Sequence, residues 1–462
     1  MTGFSQENIR SRGRRRALPL SLTVLFALLF ILPAAVAPAE EKKLSLNEAI
    51  KTALEGNHEL RASRNSLSAS KEDIGVARSA LLPKLTFEER FMRTDNPTLA
   101  FSSKLNQQRF ARGDFEIPSL NSPNAINDFQ TSFSFEQPLF ARKANIGLAM
   151  TKLEYDAQRE DFTRKREEIA YRVARTYLMV RTAREYEQIA AKTVGDAKEH
   201  LRITELRLNA GFGLRSDTLR AYTAVIEAEQ KLVSARKNLS VAKRALGVLL
   251  GMSASVDITD EAPELQVMEI NYYDKAAQSR KDIVSLERRN EIAKSGILLA
   301  KAGYLPTIGI GGGYQLNDHE KPFGTEGESW HVAAFLRWEI FDGAKSGHER
   351  AKAAFIANET AEHLDGLREA VSFRVYETWL GVEEAKINTD FAKAALKTAE
   401  EGRRLVKVRF ENSLSPLVDL LDAQISLDHA RAGLAARDNE YKTAITALGY
   451  ESGTLLRDLK IE

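Results

Sequence analysis

REEIAYRVARTYLMV at 166–180 and REAVSFRVYETWLGV at 368–382 are two versions of one segment. At an offset of 202, Arg166/Arg368, Glu167/Glu369, Arg172/Arg374, Val173/Val375, Thr176/Thr378, Leu178/Leu380 and Val180/Val382 agree. The same offset relates Asp217 to Asp419, Ala221 to Ala423, and Ala245-Leu246-Gly247 to Ala447-Leu448-Gly449. Upstream, Leu82-Pro83 matches Leu305-Pro306, now 223 apart, so the extra residues lie between the strands of the first copy. The chain is one unit written twice, and an internal repeat decides architecture before any local pattern does. The copies occupy 40–251 and 272–462, joined by a connector at 252–271 whose composition does not suit a long helix.

Each copy reads helix, strand, loop, strand, very long helix, turn, helix. Residues 45–82 are predicted helical. A strand at about 84–93 alternates Leu85, Phe87 and Phe91 with Thr86, Glu88 and Arg90. A second at about 128–140 places Phe129, Phe133, Phe135 and Leu139 likewise. In the second copy Tyr304, Pro306, Ile308, Ile310, Tyr314 and Leu316 share one parity over 304–316. Trp330, Val332, Ala334, Leu336, Trp338 and Ile340 do so over 329–341. Period two over about ten residues is a strand signal, and its length and aromatic ends suit a tilted membrane strand. TDNPTLAFSSKLNQQRFARGDFEIPSLNSPNAIN and NDHEKPFGTEGE, between the strands of each copy, read as loops from their Asn, Pro, Ser and Gly content.

Helical hairpins follow at about 143–251 and 343–450. No proline interrupts 143–209 or 343–411, and at 1.5 Å per residue each run reaches roughly 100 Å. The return helix of the first hairpin carries Ala221, Val225, Ala228, Leu232, Ala235, Leu239, Ala242, Leu246 and Leu249, a coiled-coil seam. The second repeats it with Ala423, Leu427, Ala430, Leu434, Tyr441, Ala444 and Leu448, broken at Arg437. Residues 45–82 stacked on 214–251 match the length of the long helix beside them, which predicts a cylinder of uniform height. Four strands cannot close a barrel, about eight being the practical minimum, so membrane strands require an oligomer. Geometry alone permits a dimer of eight strands or a trimer of twelve.

Composition bounds function. The chain has 462 residues, 66 basic and 64 acidic, with a mean hydropathy of −0.32. That balance argues against nucleic-acid binding by bulk charge. The absence of cysteine excludes a disulfide scaffold, a thiolate site and a lipidated N-terminal cysteine. Residues 1–39 read as a secretory signal peptide: Arg10, Arg12, Arg14, Arg15 and Arg16, an apolar run, then Ala37-Pro38-Ala39. Its removal takes five of the basic residues and one acid, Glu7, and turns a formal +2 into −2. No later stretch approaches the length of a transmembrane helix. Seven scattered histidines form no HExxH, and neither a P-loop nor a nucleophile elbow occurs. Gly311-Gly312-Gly313 falls inside a strand, where it is no phosphate cradle. No enzyme, cofactor or metal is expected. An exported coiled-coil adaptor or scaffold is the alternative; it explains the export signal and the heptads, but not the duplication or the paired aromatic strands.

In these features the chain resembles the outer-membrane efflux proteins, the TolC-like channels. The resemblance covers the whole mature chain and is most specific at the turns, NAGFGLRSDTLRA at 209–221 and NSLSPLVDLLDAQ at 412–424. It implies an α+β membrane protein: a homotrimer with a twelve-stranded outer-membrane β-barrel set in lipid and a twelve-helix periplasmic α-barrel. It also implies a passive exit duct for a tripartite pump or one-step secretion system. The partners would be a periplasmic adaptor and an inner-membrane transporter of RND, MFS or ABC type. By motif, Asp419 and Asp422 match the aspartates ringing the periplasmic entrance, with Asp217 their counterpart in the first copy. Residues three apart share a helix face, and in a trimer the pair becomes six carboxylates around one axis, a cation-selective ring. The adaptor would meet the hairpin tips, Gly211, Phe212, Gly213 and Leu214 in the first, Ser413, Leu414 and Pro416 in the second. Some members lock the entrance with an Arg and a Tyr; the matching positions here are Ser415 and Phe410, so the closed state is latched differently. Ser413 also stands where glycine is common.

Overall fold

A computed structural model describes residues 43–259 and 266–461. The expected signal peptide lies outside the described residues. In chain order the described elements are β1 (Lys43–Leu44), α1 (Leu46–Gly56), α2 (His58–Ser79), β2 (Lys84–Thr94), α3 (Pro97–Asn106), α4 (Ile117–Asn121), β3 (Ile126–Phe140), α5 (Arg142–Asn209), α6 (Arg215–Leu249), β4 (Asp257–Ile258), α7 (Ile270–Ala277), α8 (Lys281–Lys301), β5 (Thr307–Asp318), β6 (Gly327–Arg337), α9 (Lys345–Glu411), α10 (Leu417–Ser452) and α11 (Leu455–Asp458). Short 3₁₀ turns precede α4 and β5.

Two expectations about the helices are corrected. Residues 45–82 are not one helix: Asn57 leaves the helical region at ψ 128° and splits it into α1 and α2. The second copy breaks at the equivalent place, between α7 and α8 at Arg280. The helix that stacks on α6 is therefore α2 alone, and α1 leaves the column. The 22-residue α2 and 35-residue α6 both lie along the 68-residue α5. At their junction the Asn57 Oδ1 accepts from Leu60 N–H (3.1 Å) as an N-cap, while its Nδ2 donates to Leu249 O (2.8 Å) at the end of α6. One side chain thus satisfies an orphan donor and an orphan acceptor of two abutting helices. A Cβ at Gly251, which sits at φ +76°, would meet Gly56 O at 2.2 Å, so the approach tolerates no larger residue. In the second junction Arg280 Nη1 donates to Glu451 O (2.8 Å), placing a cation at the C-terminal dipole of α10. We expect Asn57→Ala to cost about 1–2 kcal/mol, as for loss of an N-cap, read as a lowered denaturation midpoint.

Elements from both ends of the chain and from the connector meet against the middle of α5. β1 pairs in parallel with β4. Leu44, Ile50 and Ala53 pack with Ile169, Val173, Tyr177 and Val180 of α5, with Leu246 of α6, and with Leu455, Leu456 and Leu459 near the C-terminus. The repeated segment supplies the core of both copies, because Val371, Val375 and Val382 occupy the corresponding places in a second cluster with Tyr273 and Ile283. Tyr177 is fully buried, and its hydroxyl donates to Thr259 O (2.8 Å). The predicted seam of α6 is the stripe that packs: none of its nine residues is exposed.

The four long strands form an antiparallel sheet in the order β2-β3-β5-β6. The predicted strands at 304–316 and 329–341 overreach. β5 begins at Thr307, because 302–304 close a 3₁₀ turn and Pro306 has no N–H to give the ladder. β6 ends at Arg337, leaving Trp338, Ile340 and Phe341 exposed beyond it. The loop predicted between β2 and β3 is likewise not featureless. It holds α3, capped by Asn96 Oδ1, and α4, with Lys104 paired to Asp114 at 2.7 Å. Asn and Pro there serve as helix starts rather than coil.

Candidate functional site: a two-faced sheet and a paired-hairpin tip

Register carries the polarity of the strands across the whole sheet. Leu85 lies opposite Phe135, Phe135 opposite Gly312, and Gly312 opposite Val332. Phe87, Phe133, Tyr314 and Trp330 make the next row on that face. On the other face run Thr86, Ser134, Gly313 and His331, then Glu88, Ser132, Gln315 and Ser329. Phe87, Phe133, Trp330, Val332 and Leu336 are all more than half exposed to solvent in the single chain. Over these rows one exposed face is apolar and the other polar, and Glu89, Thr131 and Glu328 follow on the first face only beyond them; such a sheet belongs where one side meets hydrocarbon and the other water. The glycine run makes room for rings: a Cβ at Gly312 would lie 2.7 Å from the Phe135 ring, and one at Gly309 2.5 Å from that of Phe335. β2 and β6 each have one edge unpaired in the chain.

Roughly 100 Å away along α5 and α9 lie the two hairpin tips. Both close by the same device. Gly211 N–H donates to Leu208 O and Phe212 N–H to Arg207 O; Ser413 N–H donates to Phe410 O and Leu414 N–H to Arg409 O. These are Schellman pairs, which need a left-handed residue after the helix. Gly211 supplies it at φ +78° and Ser413 at φ +60°. A side chain at that φ is strained, so Ser413→Gly should gain about 0.5 kcal/mol after the entropy of glycine is charged, seen as a slightly higher denaturation midpoint. Gly213 is crowded, with an added Cβ 2.7 Å from Leu208 N. Phe212, Leu214 and Leu414 are exposed, and Pro416 immediately precedes α10.

Asp419 and Asp422 lie in the opening turns of α10, both exposed, and Asp217 in the first turn of α6, half-buried. No described residue forms an ion pair with any of the three. The inward stripe of the same stretch is Leu417, Leu420, Gln424 and Leu427, so the two aspartates point away from the protomer's own packing. Phe410 and Ser415 do not make a side-chain lock. Phe410 is buried with Ala221, Leu417 and Leu420, and the Ser415 Oγ is enclosed without a partner.

The sequence reading missed what joins the two tips. Arg207 of α5 lies over the Phe410 ring (4.1 Å) and donates to Phe410 O (2.7 Å) and Glu411 O (3.2 Å). Further along, Gln424 accepts from Arg403 Nε (3.0 Å) and donates to Asp196 Oδ2 (3.2 Å) and Asp428 Oδ1 (3.0 Å), linking α5, α9 and α10. The legible signal was a glutamine in an otherwise leucine stripe; its partner Asp196, 228 residues away, gave none. Beside this cluster His200 of α5 is buried with neither ring nitrogen partnered. Burial first, then the Arg403 guanidinium, pushes its pKa below the usual value.

The sequence model of the outer membrane efflux proteins matches residues 49–252 and 272–452. The chain belongs to the outer membrane efflux protein family. It is 23% identical over 434 residues to the alkaline protease secretion protein AprF of Pseudomonas aeruginosa, covering 89% of this chain and 85% of that one. It is 21% identical over 437 residues to the outer membrane protein TolC of Vibrio cholerae, covering 89% and 91%. The fold is shared with the Campylobacter jejuni outer membrane channel CmeC, at a TM-score of 0.73 and 16% identity over 89% of this chain and 86% of that one. The protein is an outer-membrane channel of the TolC type, and members of this family are channels rather than enzymes.

Proposed function

We propose that three copies of this chain assemble into an exit duct through which small molecules or proteins leave the cell passively. Its partners would be a periplasmic adaptor and an inner-membrane transporter of RND, MFS or ABC type. The observation that carries this is the row-by-row register of the four-stranded sheet, apolar on one face and polar on the other, with unpaired edges at β2 and β6. Open edges are not viable in lipid, and pairing β6 of one copy with β2 of the next removes them. Twelve strands leave a lumen that eight would fill with side chains. The names of two relatives, a protease secretion protein and a TolC, support export as the task. Asp419 and Asp422, unpaired and turned away from their own protomer, serve as the cation-selective ring, with Asp217 nearby. The exposed tip residues Phe212, Leu214 and Leu414 form the adaptor's footing.

The test is assembly and conductance together. Protein extracted from outer membranes should migrate as a trimer and form channels in a planar bilayer; a monomer released by carbonate wash would return the reading to a periplasmic scaffold.

A pH response follows from His200. It faces Asp196 and Glu199 on its own helix and Arg403 and Lys407 on α9, with Gln424 and Asp428 of α10 close by. Its folded pKa is lowered, so the closely packed state binds fewer protons than a hydrated His200 would. That packing is at full strength above pH 6.5, the ordinary value, and weakens as pH falls below it. Burial raises Asp428, which acts in the opposite sense at more acid pH. Channel opening should therefore increase between pH 7.5 and 5.5, and His200→Leu should flatten that response; an unchanged response would exclude His200 as its source.

A further inference from the structure

At the end of the sheet remote from α5 and α9, the loop joining β5 to β6 gathers three metal-ligating groups. Asp318, His319 and Glu326 each place one ligand atom within 4.8 Å of the other two. His319 Nδ1 lies 2.6 Å from Glu326 Oε2, and its Nε2 lies 3.5 Å from Glu320 Oε1. Asp318 is only 4% exposed. Its Oδ1 accepts the N–H groups of Glu320 (2.7 Å) and Lys321 (3.1 Å), while no described residue donates to its Oδ2 and no described cation pairs with it. Gly324 keeps the space beside that oxygen clear, since a Cβ there would fall 2.0 Å from Oδ2. A second buried carboxylate, Asp128, has only the neutral donors Ser103, Gln107 and Asn317. Asp318 thus brings a buried carboxylate with one undonated oxygen to the side of His319 and Glu326.

We propose that Asp318, His319 and Glu326 form a binding site for a divalent transition-metal ion, of which Zn²⁺ is the probe. One imidazole nitrogen and two carboxylate oxygens, completed by water, favour zinc, copper or nickel over calcium and magnesium, which prefer all-oxygen sites. Binding uses the Nδ1 lone pair of neutral His319 and leaves Nε2–H directed at Glu320, the usual outer partner that fixes a ligating imidazole. The ion neutralises Asp318 and clamps the β5–β6 loop at the mouth of the channel. Nothing in this site depends on the duct's gate or its partners.

The experiment is a calorimetric titration of the full-length assembled protein, without a histidine tag, with zinc chloride. One zinc per chain should bind, reversed by EDTA, and resist a tenfold excess of calcium. His319→Ala should weaken binding by roughly 100-fold, and Glu320→Gln by about tenfold, as for outer-shell partners. Glu326→Gln keeps an acceptor for His319, and so the loop's own hydrogen bond, but should lose the ion. It serves as the readout if His319→Ala disturbs folding. Absence of saturable zinc uptake by the unaltered protein would overturn the proposal, as would uptake unchanged in both His319→Ala and Glu326→Gln, or displacement by calcium.

Discussion

Replacing both Asp419 and Asp422 by alanine should abolish the cation preference of the channel in planar bilayers while leaving its trimeric assembly intact. The two carboxylates are exposed and form no ion pair with a described residue, so their removal frees no buried partner. Their cost is borne in the assembled duct, where like charges brought round one axis repel one another and are relieved by cations from solution. Clefts lined by one sign of charge enrich counter-ions by roughly 10- to 1,000-fold, and a cation-to-anion permeability ratio should fall by at least about tenfold when that lining is lost. The single variants should act partially, since each leaves one ring in place. High salt should mimic the double variant by screening. A preference that survives the double change would refute the assignment of these residues to the constriction.

Unlatching the hairpin tips should have the second large effect. Widening the periplasmic end requires the second hairpin to move relative to the first, and the described links near their tips include Arg207, Gln424, the Arg403–Asp196 pair (3.8 Å) and the packing of Ala221 with Phe410, Leu417 and Leu420. Arg207 holds two carbonyl oxygens and covers an aromatic ring, and hydrogen bonds from a charged donor contribute about 1.5–3 kcal/mol each before solvent screening. The site is partly solvated, so Arg207→Ala is expected to favour separation by on the order of 2 kcal/mol per protomer. Gln424→Ala should do less, because it removes the bridging hydrogen bonds but leaves the direct Arg403–Asp196 pair at 3.8 Å. Either change should raise open-channel probability, with about tenfold for each 1.4 kcal/mol, and the two together should exceed either alone. Single-channel records with unaltered closed times in both variants would show that the tips are held by something else. Phe410→Ala is a useful contrast: it takes away the packed ring beneath Arg207 but not the carbonyl that Arg207 grips.

Much of the molecule was legible because its pattern is periodic. The alternation in 84–91 and 329–336 could place side chains only on two faces of a strand. The 4,3 spacing from Ala221 to Leu249 could serve only one helix stripe, and that stripe is the one that packs. The repeat likewise announced two matched cores, met at Ile169, Val173 and Val180 and again at Val371, Val375 and Val382. The failures fall where periodicity is interrupted locally. The split at Asn57 depends on a cap that also reaches another helix, and α3 inside a polar loop depends on Asn96 and packing beneath it. Three-residue spacing placed Asp419 and Asp422 on one helix face, and both are exposed on α10; their part in a gate rests on the resemblance of the motif. Phe410 and Ser415 were readable as positions but not as roles, since burial depends on what the other hairpin brings.

By itself, then, the sequence determined the duplication, the two-faced strands and the length of the hairpins, all consequences of local geometry repeated along a chain. Only the tertiary structure decided how the halves are fastened: Asn57 under Leu249, Arg207 on the carbonyl of Phe410, Gln424 between Asp196 and Arg403. The same holds for the outer loop, where Asp318 and His319 are adjacent in sequence but meet Glu326 only because the hairpin folds back on itself. The physical reason is common to all of these. A period constrains direction, which is local, whereas a hydrogen bond or a ligand set constrains distance, which only packing brings within 3 Å.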